Sequence, residues 1–168
     1  MRSNRGSFCA SLALALLPVV VAAGPLRAQA AEHPINLALV APIQIFPETD
    51  AIKGVRLNLI YGKNAAMTGL DLGLANHVTG LAKGVQWGVV NLTDAMVGWQ
   101  DGFVNLNEGE FEGLQSGAFN STGRINGLQF GIVNYARRAN GVQIGLVNII
   151  KEGGFLPFMV IANWGFED

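Results

Sequence analysis

The chain has 168 residues, 11 basic against 12 acidic, a net charge of −1, one cysteine and 22 glycines. A near-neutral chain without a basic stripe is not built for nucleic acid or for steering onto anionic lipid. A single cysteine excludes a disulfide framework and a thiolate metal centre.

Residues 1–30 read as a secretory signal peptide. Arg2 and Arg5 supply a positive start, Phe8 to Val21 an apolar run, and Ala28-Gln29-Ala30 a small-residue cleavage site before Ala31. The run falls short of the roughly 20 residues a membrane helix needs. Cys9 lies inside it rather than just after it, so a lipid anchor is not expected. The remainder, 31–168, carries 8 basic and 12 acidic residues, a net charge of −4, and is short enough for one domain.

Residues 31–53 are expected to form N-terminal strands that cap the fold. Ile35–Val40 and Ile43–Phe46 are apolar runs interrupted by Pro42 and flanked by Pro34 and Pro47. Proline belongs at sheet edges, where it discourages edge-to-edge pairing.

Residues 54–151 hold seven copies of one phrase, spaced 14 or 15 residues apart and led by Gly54, Gly69, Gly84, Gly98, Gly113, Gly127 and Gly141. The clearest copies are Gly127-Leu-Gln-Phe-Gly-Ile-Val-Asn134 and Gly141-Val-Gln-Ile-Gly-Leu-Val-Asn148. A fixed short period is the mark of stacked units. The first, third and fifth positions after each glycine are mostly apolar, as in Leu57, Leu72, Phe130 and Ile144. The even positions carry Gln86, Gln100, Gln115, Gln129 and Gln143, followed by glycine. This alternation is the strand signal, and it assigns the odd positions to the core. An apolar residue also stands two places before each glycine from Met67 to Ala139 and extends or precedes the strand. The phrase ends in Asn76, Asn91, Asn105, Asn120, Asn134 and Asn148. Asparagine suits turns, and stacked amides can also form a hydrogen-bonded ladder.

The segment between each Asn and the next Gly is too short for a helix and two loops. The expected fold is therefore all-β: a short-coil β-solenoid, with equivalent residues stacked about 4.8 Å apart. An antiparallel meander of hairpin repeats is the alternative. Residues 152–168 depart from the repeat and read as a C-terminal cap.

The tandem Gly-Leu-Gln-x-Gly-x-x-Asn phrase resembles a family of bacterial surface-repeat proteins and lipoproteins of unknown function. The lead-in Gly54–Gly62 and the ending Leu156-Pro157-Phe158-Met159 are also similar to it. The resemblance covers nearly all of 31–168. It implies an exported protein of the periplasm, outer membrane or cell surface, and it implies no activity.

No catalytic constellation stands out. His33 and His77 lack zinc-helix spacing. Ser116 is not in a nucleophile elbow, and the glycines follow the repeat rather than a phosphate loop. No enzyme activity, metal or cofactor is expected. The candidate binding residues are the places where the repeat is broken: Trp87, Asp101 and Ser116 in the third-position column, with Trp99 beside them. An aromatic and polar patch of this kind suits a glycan. The segments after the phrase place Asp94, Glu108 and Glu110 on an acidic edge beside Arg124, Arg137 and Arg138 on a basic one. Asn91-Leu-Thr93 and Asn120-Ser-Thr122 match glycosylation acceptors. The expected function is that of an exported, non-enzymatic binding or structural component of the cell envelope, with a protein or glycan partner. A small outer-membrane barrel is the alternative. Ice binding lacks the threonine columns it would need.

Overall fold

The computed structural model describes residues 30–166. Residues 1–29, which hold Cys9 and nearly all of the expected signal peptide, and the terminal Glu167-Asp168 lie outside the described residues. The elements are β1 (Glu32–Val40), β2 (Ile43–Gln44), β3 (Ala51–Asn64), β4 (Ala66–Glu152) and β5 (Phe158–Gly165). They make one sheet in the order β2-β1-β3-β4-β5.

The chain winds as a β-solenoid. Gly54 pairs with Gly69, Val55 with Leu70 and Leu57 with Leu72, all parallel, so equivalent positions of successive repeats stack. The stack continues within β4: Gly84 packs on Gly69, Gly98 on Gly84, and so on to Gly141 on Gly127. Hairpin repeats and bacterial outer-membrane barrels both require antiparallel neighbours along the array. Parallel stacking replaces the meander and the barrel alike. β1 adds in parallel beneath the first repeat, and β2 folds back on it antiparallel. β5 pairs antiparallel with the last repeat, Val142 against Trp164 and Ile144 against Ala162. The repeats themselves are thus covered at both ends, and the edges of the sheet fall on β5 and on β1 with its short partner β2.

The leading glycines form the corner. Gly127 has φ 142°, and a Cβ there would meet the carbonyl oxygen of Gly113 at 2.1 Å. Only glycine accepts that backbone and that approach together. Six further glycines repeat the geometry up the stack.

The interior differs from the expectation. The odd positions face outward: Leu59, Phe103 and Leu146 are 66, 66 and 68% exposed, and Leu57, Trp87 and Phe130 are exposed with them. The even positions face inward. Gln86, Gln100, Gln115, Gln129 and Gln143 are buried, as are all six phrase-ending asparagines. The apolar core is the column two places before each glycine, Ile52, Met67, Met96, Phe111 and Ile125 among it, joined by Val78, Ala136 and Ile150 from the opposite wall. The reason is the size of the coil. A turn of 14 or 15 residues leaves little space between its walls. Glycine at the fourth position lets the asparagines lie close: a Cβ on Gly117 would meet Asn105 Nδ2 at 2.6 Å.

The buried amides satisfy one another along the stack. Each glutamine Nε2 donates to the Oε1 of the glutamine one coil earlier, at 2.7–2.8 Å, from Gln143 back to Gln86. The asparagine amides donate the other way, Asn76 to Asn91 and onward to Asn148, at 2.8–2.9 Å. Five of these asparagines also donate to a main-chain carbonyl of the next coil, as Asn120 does to Phe130. The two ladders run in opposite directions, so their amide dipoles oppose. A one-way ladder must leave one acceptor over at its end. Among the described residues, the buried side-chain oxygens without a hydrogen bond are those two ends, Asn58 Oδ1 and Gln143 Oε1.

The glutamine ladder closes on a buried ion pair. In the first two coils the glutamine position holds Arg56 and Asp71, both buried. Arg56 Nε and Nη2 grip the two Asp71 oxygens at 2.8 and 2.6 Å. Gln86 Nε2 donates to Asp71 Oδ2 at 2.9 Å and Asn58 Nδ2 to Oδ1 at 3.1 Å. The carboxylate thus accepts the donor end of the ladder as well as the guanidinium. Arg56 Nη1 donates to Asn64 Oδ1 and to the His77 carbonyl. A bidentate pair with every neighbour engaged is the arrangement in which a buried charge is tolerated.

Candidate functional site

The outward positions of each phrase form one continuous wall. β1 begins it with Ile35, Leu37 and Leu39, all exposed. The third- and fifth-position columns carry it across the coils through Leu57, Leu59, Leu74, Trp87, Val89, Phe103, Phe130, Ile132, Ile144 and Leu146. The stack of seven coils is roughly 30 Å tall. A contiguous apolar surface on this scale is uncommon on monomeric soluble proteins. The opposite side of the coil is different. Lys53, Lys83, Asp94, Glu108, Glu110, Glu112, Arg137, Arg138 and Lys151 stand exposed there. The solenoid is amphipathic, with one apolar wall and one charged wall around an interior that holds the amide ladders on one side and the apolar column on the other.

The structure brings three of the four candidate residues into direct contact. Trp99 Nε1 donates to Ser116 Oγ at 3.0 Å, and Ser116 Oγ donates to Asp101 Oδ1. Asp101 stands on the outer wall, partly exposed, so its charge is not stranded in a core. Trp87 is one coil away in the same column, 58% exposed and clear of this chain of bonds. A shallow groove of about 590 Å³ runs beside them, floored by the backbone of Gly73, Gly88 and Gly102. Its sides are Leu59, Leu74, Val89 and Phe103, with Trp87 and Asp101 opposite. Ala118 closes one end, a small residue between Phe103 and Ile132 in its column.

The charged edges also meet. Glu108, Glu110, Arg124, Arg137 and Arg138 line one shallow depression of about 230 Å³ on the other wall. Arg138 Nε bonds Glu152 Oε2 at 2.8 Å with both side chains half exposed. Surface pairs of this kind are worth about 0–1 kcal/mol.

The glycosylation motifs lose their basis. Asn91 and Asn120 are buried, and their Nδ2 groups are spent on the asparagine ladder and on the carbonyls of Asp101 and Phe130.

The two histidines sit in separate places at the N-terminal end. His33 Nε2 contacts Asp50 Oδ2 at 2.9 Å, and its ring stacks on Phe46 with centroids 3.5 Å apart. His77 Nδ1 is 2.7 Å from the Tyr61 hydroxyl. Burial, and then the nearby Lys63, hold the His77 pKa below its ordinary value. The unfolded chain therefore takes up this proton first. The His77 contribution to stability is full above about pH 6.5 and declines as the pH falls below that value. His77→Gln is expected to flatten the loss of stability between pH 7 and pH 5 in urea melts. A variant slope equal to that of the wild type would remove His77 as its source.

Among the described residues, no three His, Asp or Glu side chains gather closely enough to hold a metal ion. No family model, no curated protein and no solved structure matches this chain.

Proposed function

We propose that this protein is an exported, non-enzymatic repeat protein, a binding or structural component of the bacterial cell envelope or surface that docks through the apolar wall of its solenoid. The carrying observation is the outward placement of the apolar first, third and fifth positions while the repeat's amides are buried. A chain selected only for solubility would show the reverse. Interface cores are enriched in aromatic residues and depleted in charge. The wall fits that description, with Trp87, Trp99, Phe103 and Phe130 and the single carboxylate of Asp101. The opposite, charged wall keeps such a protein in solvent while the apolar wall is covered. The likeness of the repeat phrase to the bacterial surface-repeat family supports the same assignment.

The test replaces the wall without touching the interior. Leu74→Ser, Phe103→Ser and Leu146→Ser together remove three well-exposed side chains. Each exposed change costs the fold no more than about 0.5 kcal/mol, so the melting curve should move little. Association with the envelope fraction of a bacterial host should fall at least tenfold. An unchanged distribution between soluble and envelope fractions would sink the proposal.

A further inference from the structure

The groove beside Asp101 has a chemistry more specific than the wall around it. Its long side is aliphatic and aromatic, from Leu59 through Leu74 and Val89 to Phe103. It spans five coils, roughly 19 Å at the strand spacing of a stacked sheet. Its volume of about 590 Å³ lies in the range of small-molecule sites. Asp101 is the one charged residue at the first, third or fifth position of the seven coils. Only one of its oxygens is engaged by the protein, by Ser116. The other accepts no hydrogen bond among the described residues. The donors beside it are already spent, Trp99 Nε1 on Ser116 and the Ser116 hydroxyl on Asp101. What the site offers is therefore an acceptor and negative charge, next to the exposed indole of Trp87.

Three occupants can be weighed against this chemistry. An anionic lipid headgroup finds no cation on the wall. A second copy placed by a two-fold axis through the wall's centre brings Asp101 against its own counterpart. Asp101 stands in the Gly98 coil, the fourth of seven, and in the middle of the three outward columns. Two unpaired carboxylates would be desolvated together, at a high cost. A cation suits both the carboxylate and the indole face.

We infer that this groove binds an elongated cationic amphiphile, an alkyl chain ending in an ammonium group. The chain lies on Leu59, Leu74, Val89 and Phe103, and the ammonium sits between Asp101 and Trp87. This assignment rests on the apolar wall being a docking face.

The probes are decyltrimethylammonium, decyl maltoside and decyl sulfate. Each is titrated below its micelle concentration into the full chain at low ionic strength, followed by tryptophan fluorescence and calorimetry. The cationic probe should bind about tenfold more tightly than the anionic one, the neutral probe falling between. Asp101→Asn, which keeps the Ser116 contact, should bring the cation-to-anion ratio close to one and leave the neutral probe unchanged. Phe103→Ser should weaken all three. Equal affinities in the wild type, or a preference that survives Asp101→Asn, would overturn the assignment. So would the absence of binding by every probe, or a sedimenting dimer that the probes fail to dissociate. Any of these results beside intact envelope association would leave the wall as a docking face and remove only the amphiphile.

Discussion

Asp71→Ala is expected to destabilise the protein by about 3–5 kcal/mol, a large part of the stability of a typical domain. The carboxylate stands at the junction of four donors: Arg56 Nε and Nη2, Asn58 Nδ2 and Gln86 Nε2. Removing it leaves the Arg56 guanidinium buried with its charge unanswered, and leaves the end of the glutamine ladder without an acceptor. The loss should appear as a lower urea midpoint by circular dichroism with an unchanged slope. A compensating pair of changes separates the charge from the ladder. Arg56→Gln with Asp71→Gln continues into the first two coils the residue used at this position by the next five. Its amides can donate one coil back, as those from Gln143 to Gln86 do. The double variant should recover more than half of the loss. Asp71→Gln alone should not, because Arg56 stays unpaired. A double variant as unstable as Asp71→Ala would mean that the ion pair sets the register of the first coil in a way the amide ladder cannot replace.

The period of the repeat carried most of the architecture. Identical residues at 14- or 15-residue spacing stack directly when the coils are parallel, and the glycine corner and the asparagine ladder follow from that one fact. The orientation of the strand did not follow. Alternation shows that two faces differ. The usual assignment of the apolar face to the core assumes an interior wide enough for large side chains. Here the coil is narrow, and the glutamines and asparagines share it with the apolar column two places before each glycine.

Two signals pointed inward and outward correctly. The third-position column runs Leu57, Leu72, Trp87, Asp101, Ser116, Phe130, Ile144. A close-packed core does not accept tryptophan, serine and aspartate at equivalent stacked sites, whereas an outer wall does. The second-position column holds glutamine five times running, which an unconstrained surface gives no reason for and a buried amide ladder requires. Arg56 and Asp71 broke that column in the first two coils and were legible by the same test. Trp87, Trp99, Asp101 and Ser116 stood out because they break the pattern. The hydrogen-bonded contact among the last three was not legible, because it depends on which face is outside. The groove was also hidden, since it arises from small backbone at the fourth position and bulk at the third and fifth.

Asn120→Asp, an isosteric change in the middle of the asparagine ladder, is expected to cost more than about 4 kcal/mol at neutral pH. Asn120 is buried, and its Nδ2 donates to Asn134 Oδ1 at 2.9 Å and to the Phe130 carbonyl at 3.0 Å. A carboxylate there points an anionic oxygen at two acceptors. It retains the one donor on the other side, Asn105 Nδ2 at 2.9 Å. A charge in that position is held in the low-dielectric interior without a cation. Its folded-state pKa must therefore rise above the ordinary aspartate value of about 3.9. The sign of the pH dependence follows. The penalty is full well above the folded-state pKa and shrinks as acidification protonates the folded chain first. Its charge part is gone once the pH falls below about 3.9, where the unfolded chain is protonated too, and what remains is the loss of one of the two donors. The gap between variant and wild type should narrow from pH 7 to pH 4 in denaturant melts. Asn120→Ala sets the scale of the lost hydrogen bonds alone, about 1–3 kcal/mol, and its gap should not move with pH. Because each coil of a repeat protein is held only by its neighbours, the damage should also be local. Amide exchange should speed up in the coils carrying Asn105, Asn120 and Asn134 before it does in the first coil. A variant with uniform exchange and a pH-independent gap would show that the asparagine ladder does not couple one coil to the next.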